Sequence, residues 1–148
     1  MNPEQRQERT FGIWDGTVSI TGLIFGLLIH KSPESAIAVG GLGASISACV
    51  SMATGEFEKG DGPWHERLRT ALTMLTATLI GSLVPIWPFF VFAKPVALMI
   101  AGLGCVAVAG WIGWTKRKGL KGYVSVYLTL LLAVALTLGV VSLIPQSA

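Results

Sequence analysis

Two carboxylates and one thioether stand in this chain where an apolar segment gives little reason to keep them. Asp15 lies inside the first long apolar run, Glu56 closes the second, and Met52 precedes Glu56 by about one helical turn. An ionisable group within a membrane-length helix is costly and is by default a candidate functional group. Carboxylate oxygens alone suit hard ions such as Mg²⁺ or Ca²⁺. A thioether is a soft ligand, and pairing it with carboxylate biases a site toward later divalent transition metals, with Fe²⁺ between the two preferences. Two plainer roles compete with this one: Met52 as a flexible gap-filler, and Asp15 as a carboxylate paired for structural reasons. The other acidic residues fall mostly in the N-terminal tail and the loops, where a solvated role is the default.

The three residues can be placed relative to one another. If the first two apolar runs form an antiparallel helical hairpin turning near Lys31–Pro33, residues at equal depth have numbers summing to roughly 65, for an equal rise of ~1.5 Å on each helix. Asp15 is then level with about Val50. Met52 lies within one turn of that level, and Glu56 about two turns from it. On the second helix Cys49, Met52 and Glu56 are spaced three and four apart, which puts them on one face. A carboxylate, a thioether and a second carboxylate would then line one path, with a thiol beside them. Cys49 and Cys105 both fall in apolar runs, so packing is their simpler role and no disulfide framework is implied. His30 and His65 fall at a helix end and in a loop, and neither is assigned as a ligand.

The elements that must position these groups are membrane helices. The chain has 148 residues, 52% hydrophobic and 13% charged, with a mean hydropathy of +0.66. Soluble domains carry about 25% charged residues. Apolar segments at roughly 11–29, 35–55, 68–92, 96–115 and 122–144 each reach the ~17–25 residues that cross a hydrocarbon core as a helix. The runs are continuous and lack period-2 alternation, which favours helices over a barrel. The expected fold is an all-α integral membrane protein, one transmembrane domain over residues 1–148 with five spans. Pro85 and Pro88 must break or end the third helix. A cleaved signal peptide fits poorly, because the first ten residues are not net basic and Asp15 interrupts the run that follows.

Charge sets the expected orientation. With the N-terminus in the cytoplasm, the inner segments hold nine cations (Arg6, Arg9, Lys59, Arg67, Arg69, Lys116, Arg117, Lys118 and Lys121), against Lys31 and Lys94 outside. This split places the C-terminus outside. The basic residues sit in short clusters between apolar runs, which suits lipid headgroups and not nucleic acid. Lys116–Lys121 is expected to meet anionic headgroups. The second span carries small residues every four positions, at Gly43, Ser47, Ser51 and Gly55 and again at Gly40, Ala44 and Ala48. Such rows let helices approach closely in lipid, so this helix is expected to be central and to serve as a subunit interface. The pairs Gly12/Gly16 and Gly22/Gly26 on the first span have the same spacing, and tight packing alone would explain them as well.

At these residues the chain resembles the vacuolar iron transporter family. Asp15-Gly16-Thr17-Val18-Ser19 is similar to the aspartate–glycine motif of that family's first span. Ser51-Met52-Ala53-Thr54-Gly55-Glu56-Phe57 is similar to its Ser-Met-x-x-Gly-Glu-aromatic motif, and Gly81-Ser82-Leu83-Val84-Pro85 to the third-span Gly-x-Leu-x-Pro. The last two spans match in hydropathy only. The resemblance implies a five-helix protomer assembled as a homodimer that exports Fe²⁺ or Mn²⁺ from the cytoplasm in exchange for protons. It carries Asp15 and Met52 over as metal ligands on the path and Glu56 as the carboxylate at the cytoplasmic mouth. Full-length members have a glutamate-rich cytoplasmic insert between spans two and three. Here that connection is about a dozen residues, Phe57–Arg67, so the chain reads as a short member without it.

Other activities are disfavoured. The Gly-x-x-x-x-Gly-Lys-Ser/Thr pattern is absent, as are a His-Glu-x-x-His motif and a nucleophile elbow, so no nucleotide cofactor and no enzyme activity is expected. The metal is cargo. The alternative from a different class is a non-transporting accessory subunit of a larger membrane assembly, favoured by the missing insert and the small-residue faces. A small exporter of organic cations would need an aromatic-lined cavity, whereas Trp14, Trp64, Trp87, Trp111 and Trp114 cluster at span ends, as interfacial anchors do. The minimal loops point to a prokaryotic plasma membrane.

Overall fold

The computed structural model describes residues 3–116 and 119–144. Five helices follow one another: α1 (Pro3–Ile29), α2 (Glu34–Lys59), α3 (Trp64–Ile86), α4 (Lys94–Thr115) and α5 (Leu120–Ser142), with a 3₁₀ turn over Trp87–Phe90 after α3. All five are long and apolar enough to cross a membrane, and no strand occurs among the described residues. Short turns force neighbouring helices antiparallel. One end of the bundle therefore holds the start of α1 and the α2–α3 and α4–α5 turns. The opposite end holds the α1–α2 and α3–α4 turns.

The helices outrun the apolar segments where those segments end in polar residues. α1 begins at Pro3 and not near residue 11, α2 continues to Lys59, and α3 starts at Trp64. Glu, Gln, Lys and Arg are good helix formers, and at headgroup level their charges no longer face hydrocarbon. The apolar limit thus marks the edge of the bilayer core and not the end of the helix. The connection expected over Phe57–Arg67 shrinks to residues 60–63. It is clasped by Arg67, whose Nε donates to the Phe57 carbonyl at 2.9 Å and whose guanidinium lies 4.2 Å from the Phe57 ring centre.

The turn after α1 is a Schellman cap. Ser32 N–H donates to the Leu27 carbonyl and Lys31 N–H to that of Leu28, both at 3.0 Å, with Lys31 in the left-handed region at φ 54°. Glycine usually fills that position. Lys94 pins the same turn to α4: its Nζ donates to the Ser32 carbonyl at 2.8 Å and its backbone N–H to Glu34 Oε1 at 3.2 Å.

The centre of the bundle is α1 with α3, not α2. α1 touches all four other helices, and its contact with α3 is the most extensive. Glycine makes this possible at two points. A Cβ on Gly16 would run into the Thr78 carbonyl, and one on Gly81 into the Ile13 carbonyl. Pro85 then finishes what the glycines begin. Lying in the last turn of α3, it has no N–H for the Gly81 carbonyl four residues back. Thr17 of α1 fills that vacancy: its Oγ1 lies 2.9 Å from the Gly81 carbonyl and 2.8 Å from the Ile13 carbonyl of its own helix, one proton shared between two acceptors.

α2 packs one face on α3, through Ile37, Ala38, Gly41, Ser45, Cys49 and Ala53. Its opposite face, including Gly43 and Ser47, is open among the described residues. The small residues of α2 therefore do not mark the centre of the chain. They mark a surface on which another helix could approach closely. α5 is also largely uncovered, but its outward face is Leu128, Leu131, Leu132, Leu136 and Val140, a cladding suited to lipid tails.

Candidate metal site

The α1–α3 crossing sets the position of Asp15. Gly16, the next residue, is buried against α3, so Asp15 is turned to the flank of the contact and is half-buried. Among the described residues no hydrogen bond or ion pair engages its carboxylate. It is thus not a structural carboxylate neutralised by Arg or Lys among those residues.

α2 is an unbroken helix through Cys49, Met52 and Glu56, so their spacing puts all three on one face. Cys49 is buried in the row that packs on α3, while Met52 and Glu56 are half-buried toward the end near the α2–α3 turn. The Glu56 carboxylate lies 3.6 Å from Lys59 Nζ. That lysine is mostly exposed, so solvent screens the pair, while the Glu56 side chain is largely covered. Cys105 is buried on α4, with its Sγ 3.2 Å from Thr21 Oγ1, a packing role. His65 is exposed on the first turn of α3, and His30 sits in the turn after α1.

The described residues do not gather a closed ligand set. Among the described residues no three His, Cys, Asp or Glu side chains come together in an arrangement that could hold a metal ion. The candidate groups are distributed: a free carboxylate on α1, and a thioether and a second carboxylate on α2.

Sequence reasoning passed over two features. Glu8, read as a solvated tail residue, belongs to α1 and is half-buried, with Oε2 shielded from solvent. Its spacing from Gly12 and Asp15, four and then three residues, was the signal: all three share one face of α1. The second feature is a seam of buried hydroxyls, Thr17, Thr21, Ser45, Thr78 and Ser82. Most of them bond to the carbonyl one turn back in their own helix, which neutralises the hydroxyl at little cost. Thr78 Oγ1 is buried with no partner among the described residues.

The family comparison bears on this region. A family model described as VIT family matches residues 7–61, the stretch that carries Asp15, Met52 and Glu56. Over that stretch the chain is similar to the VIT family. No curated protein and no solved structure matches the chain. With five membrane-length helices, the match fits an integral, multi-pass membrane protein. The matched stretch ends at the α2–α3 turn, so the Gly81–Pro85 motif of α3 lies beyond it.

Proposed function

We propose that the protein exports a divalent transition metal, Fe²⁺ or Mn²⁺, from the cytoplasm in exchange for protons, using Asp15, Met52 and Glu56. The observation that carries this reading is the state of Asp15: a half-buried carboxylate within a membrane-length helix, next to a glycine crossing, and engaged by no described cation. A bare carboxylate there is unfavourable unless something neutralises it. A proton can do so when the site is empty, and a divalent cation can do so when it is loaded. Metal ligands must be deprotonated, so arrival of M²⁺ displaces the proton, and reprotonation on the other side releases the metal. Glu56, nearer the α2–α3 turn, meets the ion first. Met52 between them adds a soft donor that disfavours Mg²⁺ and Ca²⁺.

The exchange needs a complete ligand shell, and one chain supplies a scattered one. We assign the missing part to a second copy, a homodimer joined through the open face of α2, where Gly43 and Ser47 admit close backbone approach. We take the N-terminus and the α2–α3 turn to be cytoplasmic, the side the cation count favours, which makes Glu56 the mouth and the α1–α2 turn the exit. Lys116 and Lys121 are exposed at the same end and fit an anionic inner leaflet. Arg117 and Lys118, assigned the same role, lie outside the described residues. The short turns fit a prokaryotic plasma membrane.

The test is uptake into sealed proteoliposomes with Fe²⁺, Mn²⁺, Co²⁺ and Zn²⁺ offered side by side. Saturable, protein-dependent uptake of Fe²⁺ or Mn²⁺ is the expected result. Absence of uptake for every ion, with the protein copurifying in a large metal-independent assembly, would replace this reading with that of an accessory membrane subunit.

A further inference from the structure

Near Asp15, three features of the α1–α3 crossing meet that packing alone does not require. Thr17 follows Asp15 by two residues and is fully buried. Its hydroxyl is shared between its own helix, at the Ile13 carbonyl, and the Gly81 carbonyl of α3. That second acceptor is free only because Pro85 cannot donate to it,. Gly16 and Gly81 let the two backbones close until no Cβ would fit between them. A hydroxyl with one proton and two acceptors within 2.9 Å can stay on its own helix or reach across, and only the second choice ties α1 to α3.

We infer that Thr17 is a positioning residue for Asp15. The hydrogen bond across to Gly81, made possible by Pro85, fixes how far α1 is rotated and advanced on α3, and hence where the Asp15 carboxylate faces. The inference rests on the proposed transport role of Asp15, but it makes a separate structural claim. Proline and threonine act here as one device on two helices: the first exposes an acceptor, the second uses it as a docking point. Losing a contact that orients a metal ligand costs about 10–100-fold in affinity, so a tie this local can set metal affinity.

The decisive experiment separates position from stability. Thr17→Val keeps shape, removes the donor and leaves the Gly81 carbonyl unsatisfied, so it weakens both the fold and the tie. Adding Pro85→Ala gives that carbonyl an N–H within α3, which restores the satisfied backbone but not the link to α1. Thr17→Ser keeps the link. In proteoliposomes the half-saturating metal concentration is expected to rise at least about tenfold in the Thr17→Val/Pro85→Ala protein, while its thermal stability returns to that of Pro85→Ala alone and Thr17→Ser remains close to wild type. Recovery of metal affinity together with stability in the double variant would reduce Thr17 to a structural residue and overturn the inference.

A readout independent of transport completes the test. Asp15→Cys is labelled with a charged thiol reagent in the Thr17 and the Thr17→Val/Pro85→Ala backgrounds, where Cys49 and Cys105 are buried. A changed labelling rate is expected, and an unchanged rate contradicts the inference. If the labelling changes but the wild-type protein moves no metal, the proposed transport fails and the positioning role stands.

Discussion

The two ends of the bundle are built on different principles. At the end holding the α1–α2 turn, Ile20 and Ile24 of α1, Ile37 and Ala38 of α2, Ile86 of α3, Phe89 of the 3₁₀ turn and Ala97 and Ala101 of α4 converge in one apolar cluster. A Cβ on Gly41 would strike Ile86, so no space is left, and Lys94 fastens the rim to Ser32 and Glu34. At the other end the cluster is smaller, centred on Ile13, Ala77, Ala109, Ile112 and Val126. There Asp15 and Glu56 remain half-buried, and hydroxyls line the α1–α3 seam. The same five helices thus make a larger apolar seal at one end and a smaller core beside two half-buried carboxylates at the other. Asp15 lies little more than one turn before Ile20 of that seal.

The contrast can be broken at either end, and the largest effect belongs to the carboxylate. Asp15→Asn keeps the shape and removes the charge, so metal uptake is expected to fall to the protein-free background while the helical signal and melting temperature stay near wild type. Next comes the crossing that positions it. Gly81→Leu places a side chain where the Ile13 backbone lies, and overpacking that cannot relax costs about 3 kcal/mol or more. Thermal unfolding in detergent should show a large loss of stability or no folded protein.

The seal should yield a smaller, graded response. Ile37→Ala opens a cavity in the apolar cluster and is expected to cost about 2 kcal/mol, the low end of the range for such a truncation, because packing and not hydrophobic transfer holds helices together in lipid. It should also let protons leak across proteoliposomes, measured as faster decay of an imposed pH gradient. Met52→Leu keeps volume and loses sulfur. Total transport is expected to persist while the preference for Fe²⁺ over Mg²⁺ falls, read from competition uptake, and an unchanged preference would make Met52 a packing residue. Lys94→Met, which removes one hydrogen bond at the rim, should cost only about 1 kcal/mol in the same unfolding assay.

The sequence made the five spans readable because each is a continuous apolar run, and nothing in the structure competes with that signal. It did not show where the helices stop. α1 and α2 carry charged residues out of the hydrocarbon without breaking the backbone pattern, and hydropathy registers the solvent and not the hydrogen bonds. The proline positions were read more usefully, since α3 ends one residue past Pro85.

The centre of the fold was misjudged for a physical reason. Small residues measure how closely a helix can be approached, not which helix approaches it. The rows on α2 are conspicuous, yet the tightest backbone contact uses one glycine from α1 and one from α3, at Gly16 and Gly81. The candidate site was readable as types and spacings: Asp15 within a span, and Met52 and Glu56 on one face. What no spacing could reveal is that Thr17 meets Gly81, because that depends on which two helices cross and at what level. Pro85 announced an unsatisfied carbonyl at Gly81, but only the fold names its donor.

The central claim is that Asp15 exchanges a proton for a divalent ion. The most direct measurement records proton movement in sealed proteoliposomes when Fe²⁺ or Mn²⁺ is added to one side, for wild type and for Asp15→Ala. The account predicts proton flux opposite to the metal in the wild type and none above background in the variant. Equal proton flux in both would contradict it.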